Sequence, residues 1–167
     1  MPCPCITLLA ARQIDGAIAL FSAQLKEHGI TTPADDLRLV VENVVADPRY
    51  GFIVLASMDE VGPVVGIAYA SCLLSLEYGG ISGWLEELYV LPEWRGCGIG
   101  SRLVAELIRR AKELHWRAID LEVDSSHQRA ISLYLRHQFQ LHSRTRLFQI
   151  ISPGTDVGIA GSPRRPF

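Results

Sequence analysis

Apolar residues at Ile14, Ala17, Ile18, Phe21 and Leu25 recur at helical spacing, which predicts a helix over 13–26, ended by Gly29. A second helix is expected to open at Thr32-Pro33, where proline suits a first turn. It runs through Leu37, Val40, Val41, Val44 and Val45 to a stop at Asp47-Pro48. Residues 6–9 form a short apolar strand before these helices. Three apolar runs follow them, at 52–56, 64–74 and 81–90, separated by turn-rich stretches. Connections this short leave no room for crossover helices, so the three runs read as an antiparallel meander.

The pattern then changes. Ile99, Leu103, Leu107, Ala111 and Leu114 make one apolar stripe of a helix, with Arg102, Glu106, Arg109, Arg110 and Glu113 facing outward. A strand over 118–123, a helix over 128–137 and closing strands at 139–141 and 146–151 are predicted next. Strand, helix, strand at this distance implies a parallel pair, so the fold class is α/β, with a mixed sheet. One domain over 1–151 accounts for all of this. From Ser152 onward Gly, Pro and Ser dominate, and 152–167 reads as a tail.

Composition narrows the partners. A net charge of -2 with no basic face argues against nucleic acid. No apolar run is long enough to span a bilayer, and the Met1–Cys5 start lacks the pattern of a secretory signal, so a cytoplasmic protein is expected. Cys3 and Cys5 flank a proline with no second cluster to complete a zinc site; with Cys72 and Cys97 they are expected to be free thiols, and no metal is expected. His28, His115, His137 and His142 have no partners at metal or triad spacing.

The most informative segment runs from Glu87 to Ser101. A strand ends at Val90, then Leu91-Pro92-Glu93-Trp94-Arg95-Gly96-Cys97-Gly98-Ile99-Gly100-Ser101 leads into a helix. Glycines let backbone amides approach a ligand at a helix N-terminus, where the dipole favours an anion such as a diphosphate. Glycines used for tight packing alone would give a similar string. Two matches in order decide between these. Arg95-x-x-Gly98-x-Gly100 after a strand, an apolar residue and Pro resembles the cofactor motif of the GNAT superfamily of N-acetyltransferases. Leu121 to Tyr134, with Ala130 and Leu133-Tyr134, is similar to that superfamily's strand, Asn-x-x-Ala, Leu-Tyr segment, except that His127 replaces Asn. Gln138 likewise replaces a Gly before Phe139. The string Trp84 to Gly96 looks locally like the polyamine (diamine) acetyltransferases.

The resemblance implies a GNAT-like fold and acetyl-CoA as cofactor. The backbone of Leu88, Tyr89 and Val90 would take the pantetheine arm like an added strand. The amides of Gly96, Cys97, Gly98, Ile99, Gly100 and Ser101 would cradle the pyrophosphate, with Arg95 shaping the loop. His127 would meet the pantetheine, Ala130 would line the cofactor, and Tyr134 would sit near the sulfur.

Acetyl transfer to an amine needs a group to take the amine's proton and a group to protonate the departing thiolate. Glu86 and Glu87 interrupt an otherwise apolar strand, and alternation would put Glu86 with Leu88 and Val90 on one face and Glu87 with Tyr89 on the other. Each buried carboxylate needs a reason, whether a salt bridge, a solvent edge or a catalytic task. By the resemblance Glu86 ranks first as base and Glu122 second; Tyr134 is the general acid. The enzyme reading is transfer to a primary amine: a polyamine, aminoglycoside or amino acid, or less readily a protein. A non-catalytic acyl-CoA-binding domain is the alternative. A homodimer packed through tail residues Val157 and Ile159 is also expected of such a chain.

Overall fold

The computed structural model describes residues 4–59 and 62–151. Among these residues the strands and α-helices run in the order β1 (Cys5–Leu8), α1 (Ile14–Glu27), α2 (Ala34–Ala46), β2 (Gly51–Ser57), β3 (Val64–Ser75), β4 (Gly80–Val90), α3 (Ile99–Glu113), β5 (Ile119–Leu121) and α4 (Gln128–Arg136). The strands form one sheet in the order β1-β2-β3-β4-β5. The first four pair antiparallel and β4–β5 pair parallel, so the predicted meander and parallel unit are both present. No helix among the described residues is long and apolar enough to cross a membrane.

The amphipathic stripes explain the layers. Ala17, Ile18, Phe21, Val41 and Val44 from α1 and α2 pack on one sheet face with Ile53, Leu55, Ile67 and Tyr89. Ile99, Leu103, Leu107 and Ala111 from α3 cover the other face with Val54, Ala68, Ala70 and Leu85. Strands between two helical layers are apolar on both faces, which is why 52–56 reads as a continuous run.

Three expectations need correcting. First, β3 and β4 are not in simple register. Tyr69 pairs with Glu87 but Ala70 with Leu85, so a β-bulge at Glu86 adds one residue to β4. The alternation that separated Glu86 from Glu87 therefore fails. The Ser71 hydroxyl donates to Glu86 (2.8 Å) on the face that Ser71 shares with Tyr69. Gln24, from α1 on that same face, donates to Glu87. Both carboxylates lie on the α1 side.

Second, the predicted strand at 118–123 shortens to Ile119–Leu121, pairing with β4 only at Gly83, Trp84 and Leu85. Third, the closing strands at 139–141 and 146–151 do not form. Side chains hold this segment instead: Arg144 pairs with Glu77 (2.8 Å) and Arg146 with Glu122, its guanidinium lying 5.1 Å from the Trp84 ring centre. A three-residue β5 offers few ladder bonds to an added strand, and Leu141, Leu147 and Ile151 stay exposed. The tail, with Val157 and Ile159, lies outside the described residues.

Candidate acyl-transfer site

The site follows from where β4 and β5 part. Their pairing stops at Leu85, and α4 follows β5 on the far side, so the edge of β4 from Glu86 to Val90 borders a cleft. A cavity of about 540 Å³ opens there, lined by Leu88, Tyr89 and Val90 on one wall and by His127 and Ala130 on another. Leu88 and Val90 send their side chains into the α3-side core, which leaves their backbone as the cleft's polar surface.

At the end of β4 the chain enters the glycine loop. Gly96 and Gly98 have φ of 80° and 78°, and a Cβ at either would meet nothing within 4 Å. Glycine is needed here for conformation, and the space it leaves open is solvent. Gly98 is the N-cap of α3, and no acidic residue sits in that helix's first turn. Free amides, the helix dipole and open space make a fitting cradle for a diphosphate. Cys97 and Ser101 belong to the same turn, whereas the Ile99 side chain is buried in the core, leaving only its amide for the loop. Gly100 lies under Leu133 of α4. The Ser101 hydroxyl is 2.7 Å from His137 Nε2, tying the start of α3 to the end of α4.

Arg95 is committed to shaping this loop. Its Nε donates to the Val90 carbonyl (2.9 Å), its Nη2 reaches both Glu27 oxygens (2.9 Å), and its guanidinium lies over the Tyr89 ring. The Tyr89 hydroxyl donates to Glu27 as well (2.7 Å). That bond and the Arg95 guanidinium hold the Glu27 carboxyl below its ordinary range, although burial opposes them.

The candidate acid–base groups differ in burial and partners. Glu87 is half-buried and burial, with the adjacent charge of Glu86, pushes its pKa up to about 7 despite the Gln24 bond. Tyr134 is pushed up to about 12 by burial and by the nearby Glu87 charge, and its ring meets Phe139 edge-on at 5.6 Å. Glu86 is exposed beside Ser71, and Glu122 is exposed and paired with Arg146. Glu86 and Glu87 thus lie side by side, Tyr134 feels the Glu87 charge, and Glu122 is engaged elsewhere.

The sequence reading did not single out the α1 wall: Gln24, Glu27 and His28 line the cleft, and the His28 ring is 6.2 Å from that of His127. Gln24 carried a legible signal, being a polar residue three positions after Phe21 on the buried stripe. At the other end of α4, Gln138 has φ 69°, the conformation glycine would adopt without strain.

Comparisons with known proteins agree with this architecture. Residues 17–139 match the model of the Acetyltransferase (GNAT) family. A mycothiol acetyltransferase of Propionibacterium freudenreichii is 32% identical over 140 residues, covering 84% of this chain and 39% of that protein. An L-methionine sulfoximine/L-methionine sulfone acetyltransferase of Pseudomonas aeruginosa is 31% identical, covering 56% of this chain and 54% of its own. The chain therefore spans well under two thirds of either relative. Among solved structures, an integron cassette protein from a salt-marsh metagenome superposes with a TM-score of 0.78 at 23% identity, covering 89% of this chain and 91% of that one. An aminoglycoside N-acetyltransferase in complex with CoA gives 0.74 at 17% identity, covering 88% and 94%. The match over 17–139, on a sheet whose β4 and β5 part beside a glycine-opened helix, places this chain in the acetyltransferase (GNAT) family.

Proposed function

We propose that this protein moves the acetyl group of acetyl-CoA onto the amine of a small molecule. The observation that carries the reading is the cleft along the freed β4 edge, bordered by Arg95 at the start of a positive-φ glycine loop, with the half-buried Glu87 carboxyl and Tyr134 phenol on the elements that flank it. Acetyl-CoA, when bound, supplies a thioester already activated for attack. The β4 edge at 88–90 pairs with the pantetheine arm, and the amides of 96–101 receive the pyrophosphate. Glu87 takes the amine proton at a carboxylate oxygen, and Tyr134 keeps a proton at Oη beside the place where the thiolate departs. Glu86, exposed one residue away, draws a cationic amine toward Glu87. The names of the mycothiol, methionine sulfoximine and aminoglycoside acetyltransferases among the similar proteins support a small-molecule acceptor, and paired carboxylates suit a polyamine or aminoglycoside.

A ligand bound only to the folded state stabilises it by mass action, so CoA is expected to raise the melting temperature and adenosine to raise it much less. Flat curves at ligand concentrations far above micromolar would overturn the proposal. Gly98→Glu is expected to abolish the shift, because it adds bulk at a positive φ and negative charge at the helix N-terminus. Release of free thiol with a panel of polyamines, aminoglycosides and amino acids then identifies the acceptor. Binding without release from any amine would favour the non-catalytic reading, which His127 in place of Asn supports.

A further inference from the structure

Gln24 stands out among the polar groups of the cleft. Its residue is 5% exposed, it comes from α1, and it reaches a β4 residue 63 positions away in the chain. Its Nε2 donates to Glu87, while its Oε1 is buried with no hydrogen-bond partner. An unpartnered buried carbonyl is costly, so a side chain needed there for packing alone would be apolar. The chain instead keeps an amide whose one satisfied end is the bond to the candidate base.

We infer that Gln24 is the positioning residue of Glu87: its Nε2–H, reaching across from α1, holds the carboxylate in place and favours its ionised form. The inference rests on Glu87 being the base. Other groups acting on Glu87 are Glu86 from β4 and Tyr134 from α4, while Tyr69 from β3 pairs with it in the sheet. Of these, Glu86 disfavours the ionised form and Gln24 favours it, so deletion of the amide has a predictable sign.

The test is the pH profile of kcat/KM in the intact protein carrying Gln24→Met, a substitution of similar length and good helix propensity. Losing an N–H that stabilises the carboxylate raises the carboxyl's affinity for its proton. The acidic limb should therefore move to higher pH by about one unit, with KM for acetyl-CoA within about twofold of wild type. Gln24→Asn, which withdraws the amide by one methylene, should shift the limb in the same direction and covers the case in which Gln24→Met does not fold. A limb that stays in place in a folded variant, one that still gains a melting shift from CoA, overturns the inference. Glu87→Gln separates the two levels of the reading. If it keeps full activity and its acidic limb, the assignment of the base fails; if it loses both while Gln24 variants titrate like wild type, only the role of Gln24 fails.

Discussion

Glu87→Gln will lower kcat by about 10²–10⁴-fold, the usual size of a general acid–base contribution, and will remove the acidic limb of the pH–rate profile. In the wild-type protein that limb should lie near pH 7, because burial and Glu86 push the Glu87 carboxyl up to about 7. A base at that position is half-ionised at neutral pH and still basic enough to take a proton, which an ordinary exposed carboxylate is not. Glu86→Gln should instead raise KM for a cationic amine and, by removing a neighbouring charge, move the limb to lower pH. If Glu86→Gln removes the limb and Glu87→Gln retains it, the base is Glu86. Glu122→Gln should leave the limb in place, since that carboxylate is exposed and paired with Arg146. The same carboxyl makes a statement about stability. A raised folded-state pKa gives a contribution that is fully present below the unfolded value, 4.5, and is lost as pH rises through about 7. Melting temperature measured across that window should fall less steeply in Glu87→Gln than in wild type.

Tyr134→Phe will lower kcat by about 10²–10⁴-fold while leaving CoA affinity within about twofold. The substitution deletes one hydroxyl and keeps the ring, so the edge contact with Phe139 and the packing on the α3-side core survive. Its phenol, pushed up to about 12, carries its proton throughout the pH range in which Glu87 is ionised, as a donor to a departing thiolate must. Pre-steady-state thiol release separates this step from binding. Near-normal turnover would make Tyr134 a packing residue and assign the proton to water.

Periodicity was sufficient for the scaffold because each of its elements is stabilised by the pattern that reveals it. The stripes 14–25 and 99–114 bury one helical face each, and continuous apolar strands fit only between two such layers. It misled where stability came from long-range fit. The stretch 146–151 has the composition of a strand, yet a strand forms only against an edge, and β5 is three residues long. Gln138 kept its helix end in a left-handed conformation without glycine, because local hydrogen bonds from Gln138 and Phe139 close the turn regardless of residue type.

The candidate site divides in the same way. Residues 95–101 and the run to Tyr134 were readable from sequence because their work depends on local geometry: a positive φ at Gly96 and Gly98, a helix beginning at Ile99, and residues one turn apart on α4. The relation between Glu86 and Glu87 was not. Side-chain alternation assumes an unbroken ladder, and one extra residue opposite Tyr69 and Ala70 turns both carboxylates toward α1. Nor does any local pattern bring Gln24 to Glu87, or Glu27 to Arg95 and Tyr89, across more than sixty residues. The sequence by itself determined the helices, the antiparallel strands, their order and the glycine-bearing turn into α3, since these follow from near-neighbour sterics and amphipathicity. Only the tertiary structure decided which carboxylate is half-buried and what faces it, because desolvation and charge depend on what the rest of the chain packs around a group.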